Sequence, residues 1–178
     1  DQQRLITDMI PSQLSYGGVQ RVLQNLLAER ISIRDLPTIL EGISEACGHS
    51  RSVQQITEHV RARLARQISD MHTNEAGIIP LLTLSPEWEQ AFAEALAGPS
   101  GEERQLAMPP SKLQQFIGAV RGAYERQAQA GEAPVLLTSP AIRPYVRAIV
   151  ERFMPHSSVL SQSETSPKAR IKTLGRIA

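Results

Sequence analysis

Ile78-Ile79-Pro80-Leu81-Leu82-Thr83-Leu84-Ser85-Pro86-Glu87 is the stretch on which the fold turns. Its first seven residues are apolar apart from Thr83 and carry no helical spacing. They predict a short strand, with Pro80 near its start or at an edge because proline donates nothing to a ladder. Ser85-Pro86-Glu87 then reads as an N-cap, a first-turn proline and an acid set against the helix dipole. Trp88, Ala91, Phe92, Ala95 and Leu96 follow on one helical face. A strand running straight into an amphipathic helix is the repeating unit of α/β architecture.

Downstream the same grammar recurs. Gly98-Pro99-Ser100-Gly101 reads as a loop, and Ser111 with Gln114 as a capping box opening a long helix. That helix buries Leu113, Phe116, Ile117, Val120 and Tyr124 and stops at Gly131. Val135-Leu136-Leu137 is apolar without alternation, as in a strand covered on both faces. Ser139-Pro140 opens a further helix, with Ile142, Tyr145, Val146, Ile149 and Phe153 inward and Pro155 as its end. Two strands close the chain, at residues 157–162 and 170–177, joined through Ser166-Pro167. In the second, Ile171, Thr173 and Ile177 alternate with Arg170, Lys172 and Arg176, predicting one buried face and one basic face. The order is βααβαββ, a small α/β subdomain at residues 77–178 with a mixed sheet and helices.

Upstream the pattern is helix after helix. Residues 4–10 read as a short helix closed by Pro11. Ser15 caps a second, whose Val19, Val22, Leu23, Leu26 and Leu27 form one stripe. Asp35 fits an N-cap, with Pro37 in the first turn, Ile39, Leu40 and Ile43 inward and Gly48 at the end. A fourth helix at 52–68 turns Val53, Ile56, Val60 and Leu64 in, and Arg61, Arg63 and Arg66 out. The polar run at 69–77 separates this helical subdomain, residues 1–76, from the rest. The fold class is α+β overall: an all-α subdomain followed by a small α/β one.

At 178 residues the chain is long enough for two small cores, and 41% hydrophobic with 21% charged residues is ordinary for a globular protein. A net charge of +1 sets up no field that would draw nucleic acid or an anionic membrane. No apolar run reaches the roughly 18–20 residues of a membrane span. Cys47, the single cysteine, allows neither an internal disulfide nor a cysteine-rich zinc site, which fits a reducing compartment. The start, Asp1-Gln2-Gln3-Arg4-Leu5, has neither a signal peptide nor an initiator Met, so the expectation is a piece of a longer protein.

The chemistry-bearing patterns are absent. There is no G-x-S-x-G elbow, P-loop or G-x-G-x-x-G, and His49, His59, His72 and His156 stand too far apart for a short metal-ligand motif. Cys47-Gly48-His49 is an isolated pair. Ser139-Pro140-Ala141 at a strand-to-helix junction could hold an anion, but an N-cap explains it. Glu87 and Glu89 suit a first helical turn, and Glu102-Glu103 a loop. No catalytic residue, metal ligand or cofactor follows, and the reading is a non-enzyme.

A helix-turn-helix is the competing class, with helices at 15–30 and from 36 and with Arg61, Arg63 and Arg66 toward phosphates. In residues 1–76 acids outnumber cations, and at about 100° per residue the three arginines spread around the helix. A solvated face accounts for them better. The tail is denser, with Lys168, Arg170, Lys172 and Arg176 and no acid after Glu164. Such charges protect an edge strand from further pairing or contact an acidic partner.

The segment from Gly18-Val19-Gln20-Arg21-Val22-Leu23-Gln24-Asn25-Leu26-Leu27-Ala28-Glu29-Arg30 through Ile31-Ser32-Ile33-Arg34-Asp35-Leu36-Pro37-Thr38-Ile39-Leu40-Glu41 closely resembles the signature of the FlhA (FHIPEP) export-gate family of flagellar and related type III secretion systems. Further blocks resemble the family in order. They are Glu58-His59-Val60-Arg61 with Arg66-Gln67-Ile68, Pro134-Val135-Leu136-Leu137-Thr138-Ser139-Pro140-Ala141-Ile142-Arg143-Pro144-Tyr145-Val146-Arg147, and Val159-Leu160-Ser161. Gln162-Ser163-Glu164 and residues 98–105 depart from it. The uninterrupted Leu23–Glu29 and Ile33–Thr38 blocks favour the flagellar branch, with an injectisome homologue as the alternative.

The resemblance implies a parent anchored in the bacterial inner membrane by a multi-spanning N-terminal domain, with four cytoplasmic subdomains. Those subdomains form a nine-membered ring that receives chaperone–substrate complexes. This chain would be the third and fourth subdomains. The principal chaperone cleft, between the first two, would lie outside it, as would any membrane contact. The implied partners are other copies, export-apparatus proteins and chaperone-bound substrates, and no nucleic acid. The resemblance points to exposed polar signature residues for the subunit or partner interface: Arg21, Asn25, Arg30, Arg34 and Asp35. Lys168, Arg170, Lys172 and Arg176 are the candidate basic partner surface.

Overall fold

A computed structural model describes residues 14–98 and 104–178. The helix expected at 4–10, Pro99-Ser100-Gly101 of the expected loop and Glu102-Glu103 lie outside the described residues. The chain divides into two compact units, one built on residues up to 68 and the other on 69–97 and 105–178.

The helical unit contains α1 (Tyr16–Ala28), α2 (Leu36–Cys47) and α3 (Val53–Arg63). Ser15 caps α1 by accepting the Gly18 N–H at 3.0 Å, and Asp35 caps α2 by accepting the Thr38 N–H at 3.3 Å. Val22, Leu26, Ile39, Leu40, Ile43, Ile56, Val60 and Leu64 form the buried core. A Cβ on Gly42 would stand 3.3 Å from Val60 Cγ2, so α2 and α3 meet across the bare glycine. Leu27 leaves the expected stripe and is 52% exposed. The single helix expected at 52–68 breaks at Leu64, after which α4 (Ala65–His72) begins.

Arg61 corrects the outward reading of that helix. Its side chain is buried and its Nη1 lies 3.3 Å from Glu29 Oε2. On the wheel Arg61 follows Thr57 by one turn, and Thr57 is itself buried. A cation at that position needs an acid, and Glu29 at the end of α1 supplies it.

The second unit is a parallel sheet in the order β5-β4-β1-β6, formed by β1 (Ile78–Leu84), β4 (Val135–Thr138), β5 (Val159–Ser161) and β6 (Arg170–Ile177). Its helices are α5 (Pro86–Ala95), α6 (Pro110–Gln129) and α7 (Arg143–Phe153). The expected mixed sheet resolves into two sheets. The main one is parallel at every pairing, and the antiparallel pairing is confined to the ribbon of β2 (Leu96–Ala97) and β3 (Gln105–Leu106). Pro80 sits in a central strand without breaking it, because β4 joins β1 only from Leu81 onward. At Pro80 the strand has a ladder partner on one side only. Trp88, Phe92 and Phe116 anchor the core, with Phe116 edge-on to both of the others.

Two helix starts differ from expectation. The helix α6 begins at Pro110, whose fixed φ suits the first helical position, so Ser111 lies inside the first turn and forms no capping box. The helix α7 begins at Arg143 instead of Ser139-Pro140, because the Ser139 hydroxyl is committed elsewhere.

Candidate functional site

Open parallel sheets take ligands outside the carboxyl ends of their strands, at the point where strand order reverses. Here that point falls between β1 and β6, and the Ser85 N–H closes it by donating to the Ile177 carbonyl at 2.8 Å. Beside it, Ser139 donates its N–H to Glu89 Oε1 at 2.9 Å and its hydroxyl to Glu89 Oε2 at 2.7 Å. The anion that the Ser139 junction could hold is thus the chain's own carboxylate. Glu87 and Glu89 both lie in the first turn of α5, as expected.

A cavity of about 530 Å³ lies at the opposite ends of the strands, between Tyr124 on α6, Val135 on β4 and Met154 after α7. The Tyr124 hydroxyl oxygen is buried there with no hydrogen-bond partner among the described residues, and burial pushes its ionisation above the ordinary tyrosine range. Tyr124→Phe should therefore leave stability unchanged or raise it by up to about 1 kcal/mol. A larger loss in a urea titration would show that the hydroxyl has a partner.

Elsewhere among the described residues the titratable groups serve local contacts. Burial pushes the Cys47 thiol up, away from the thiolate a nucleophile needs, with Arg51 a smaller opposing influence. Among the described residues no group of three His, Cys, Asp or Glu side chains could hold a metal ion, and no helix is long and apolar enough to cross a membrane. Glu45 accepts from His59 at 2.9 Å and pairs with Arg63 at 2.5 Å. The His59 hydrogen bond, aided by Arg63, holds the Glu45 carboxyl below its ordinary value. Arg63 also reaches Glu41 at 3.3 Å. With Arg61 buried against Glu29 and Arg63 held by α2, the three-arginine phosphate surface of the helix-turn-helix reading does not form.

The candidate interface residues divide by environment. Arg21, Arg30 and Arg34 are exposed. Asn25 is exposed yet donates to Thr57 Oγ1 at 3.2 Å, tying α1 to α3, and Asp35 serves as the α2 cap. Arg30 stands out by its backbone, with φ of +62°. The helix α1 ends in a Schellman motif: the Ile31 N–H donates to Leu26 O at 3.0 Å and the Arg30 N–H to Leu27 O at 2.9 Å. The same motif ends α6, where Gly131 takes the left-handed position at φ +76°. Glycine fills it there at no steric cost, whereas Arg30 bears the Cβ penalty. Tyr16, 71% exposed, and Leu27 lie on the same helix.

Lys168, Arg170, Lys172 and Arg176 are all exposed. The expected division of β6 into a buried and a basic face is overturned twice. From Arg170 to Thr173 both faces are exposed, with Ile171 at 52%. The register with β1 slips between Leu81 and Leu82, so Thr173 pairs with Leu81 and Gly175 with Leu82. Leu174 is the extra residue, and it shifts the alternation beyond it. Arg170 and Lys172 stay beside Ile78 and Pro80, while Arg176 moves to the other face, beside Thr83.

The whole chain up to residue 170 matches the FHIPEP family. The protein belongs to the FHIPEP family. Among FHIPEP relatives, the flagellar biosynthesis protein FlhA of Caulobacter vibrioides is 58% identical over 176 residues, covering 99% of this chain and 25% of that protein. The Chlamydia pneumoniae CdsV protein superposes with a TM-score of 0.86 at 32% identity, covering 100% of this chain and 50% of the other. CdsV solved in complex with CdsO gives 0.83 at 31% identity, over 100% and 51%. The nonameric EPEC SctV-C gives 0.85 at 26% identity, over 98% and 52%. The chain thus spans about a quarter of the length of the curated FlhA relative and half of the solved chains. These relatives make it a type III export-apparatus component.

Proposed function

We propose that this chain is a non-catalytic assembly and docking module of the flagellar export apparatus. It works at the cytoplasmic face of the inner membrane, in a ring of like copies that receives chaperone-bound substrates. The helical unit supplies subunit contacts through Arg21, Arg30 and Arg34, with Asn25 and Asp35 shaping that surface from within. The exposed cations of β6 and of Lys168 before it receive a further export-apparatus protein. A nonameric relative of the same fold supports the ring, and the complex of CdsV with CdsO supports an apparatus partner. Weak pairwise contacts suffice, because ring closure makes them cooperative.

The observation that carries the reading is the left-handed backbone of Arg30, since an exposed arginine kept where glycine fits better points to a use for its side chain. Two substitutions separate that use from folding. Arg30→Gly should raise the stability of the helical unit by about 0.5–1 kcal/mol, as relief of strain outweighs the added freedom of the unfolded chain. The same substitution, or Arg30→Glu with Arg34→Glu, should weaken ring assembly and motility when placed in the full-length protein. Wild-type ring formation and motility with both changes would remove these arginines from the interface.

A further inference from the structure

We propose that β6 is a docking edge for an extended acidic segment of a partner protein, which adds to the sheet as a fifth strand alongside β6. The proposal rests on reading the exposed cations of β6 as a partner surface, and specifies how that surface binds and what it selects.

The backbone provides the ladder. β6 ends the order β5-β4-β1-β6, and among the described residues it has a strand partner only on the β1 side. Edge strands are commonly kept short, yet β6 runs eight residues, the longest strand in the sheet. Its first four residues are exposed on both faces, and Ile171 offers apolar surface that a neighbouring side chain would cover.

The charges select the occupant. Residues 165–178 contain four cations and no acid. The bulge at Leu174 sets Arg170 and Lys172 on one face and Arg176 on the other, so a strand laid alongside meets positive charge on both of its faces. An acidic segment satisfies both. A second copy of β6 would oppose cation to cation, which is unfavourable across a strand pair. Cations diverging from two faces of one strand cannot follow a single line of phosphates, and β6 carries no aromatic residue on which a base could stack. Backbone addition with pockets and charges setting selectivity is an established mode of peptide capture.

Fluorescence anisotropy of a labelled peptide of about ten residues, repeating Glu-Glu-Val-Val so that both strand faces carry acid, against the 178-residue chain tests the proposal. Binding should weaken roughly tenfold with Arg170→Glu plus Lys172→Glu, and by a similar factor when alternate peptide amides are N-methylated, which removes ladder donors without altering charge. Binding that responds to charge reversal but not to N-methylation overturns strand addition and leaves the basic partner surface standing. Failure of the peptide to bind at low salt also overturns it, and the surface reading is then judged separately by export in cells carrying the two reversals. A dimer cross-linked through a photoreactive group at position 171 would assign the edge to a second copy and overturn the proposal as well.

Discussion

Replacing Glu164 with Ala should destabilise the α/β unit by about 3–5 kcal/mol, and Glu164→Gln by an amount toward the lower end of that range. Glu164 and Arg143 are both buried, with Arg143 Nε 3.7 Å from Glu164 Oε2. Glu164 Oε1 accepts the Ser161 N–H at 3.1 Å, and Arg143 Nη1 donates to the Val159 carbonyl at 2.8 Å. The pair therefore pins both ends of β5, a strand of only three residues, against the start of α7. Removing the acid takes from a buried guanidinium the carboxylate it pairs with, and that penalty sets the size of the effect. Glutamine keeps an oxygen for Ser161, so its loss is the charge alone. Changing both residues together, Arg143→Met with Glu164→Leu, should recover most of the loss, because neither ion is then stranded. Urea titrations of the three variants, with m-values held equal to wild type, distinguish these outcomes. A Glu164→Ala loss below about 1 kcal/mol would mean that the charge is not buried in solution.

Glu164 also shows which parts of the fold the sequence could carry. Local signals translated directly. Ile78–Leu84 is a strand, Ser85 caps α5 by accepting the Trp88 N–H, Asp35 caps α2, and Gly131 ends α6 in the left-handed position. Each depends on residues within a turn or two of one another. Features that depend on distant partners were hidden. Glu164 lay in a polar segment that departs from the family pattern, and nothing nearby signals that Arg143, twenty-one positions earlier, will meet it in the core. Ser139 before a proline has the form of a cap, and only the fold brings Glu89 to it. The bulge at Leu174 is likewise silent in a pattern that alternates cleanly from residue 170 to 173 and then places Arg176 on the same face by count. Of the candidate surface residues, exposure was legible in the arginines. The left-handed φ of Arg30 was not, since glycine is the residue that usually announces that position.

Arg61→Ala should cost the helical unit about 3 kcal/mol, and this substitution separates the fold from the discarded phosphate-binding reading. An arginine that reached out to nucleic acid would be nearly silent in stability, within about 0.5 kcal/mol. Arg61 instead lies between α1 and α3 with its side chain 2% exposed, and its acid Glu29 keeps 16% of its own surface in water. Truncation removes a buried guanidinium, opens a void where it stood, and takes from a mostly buried carboxylate the cation it pairs with. The water still reaching Glu29 holds the cost near the lower end of the 3–5 kcal/mol range for a broken buried pair. Arg61→Met keeps the stem that packs among these helices and should lose less, and adding Glu29→Gln to it should restore part of the remainder. The ordering Ala, then Met, then the double variant, from least to most stable, follows from a buried cation that pairs with Glu29. If all three match wild type in a urea titration, Arg61 faces solvent, and the surface of α3 has to be assigned anew.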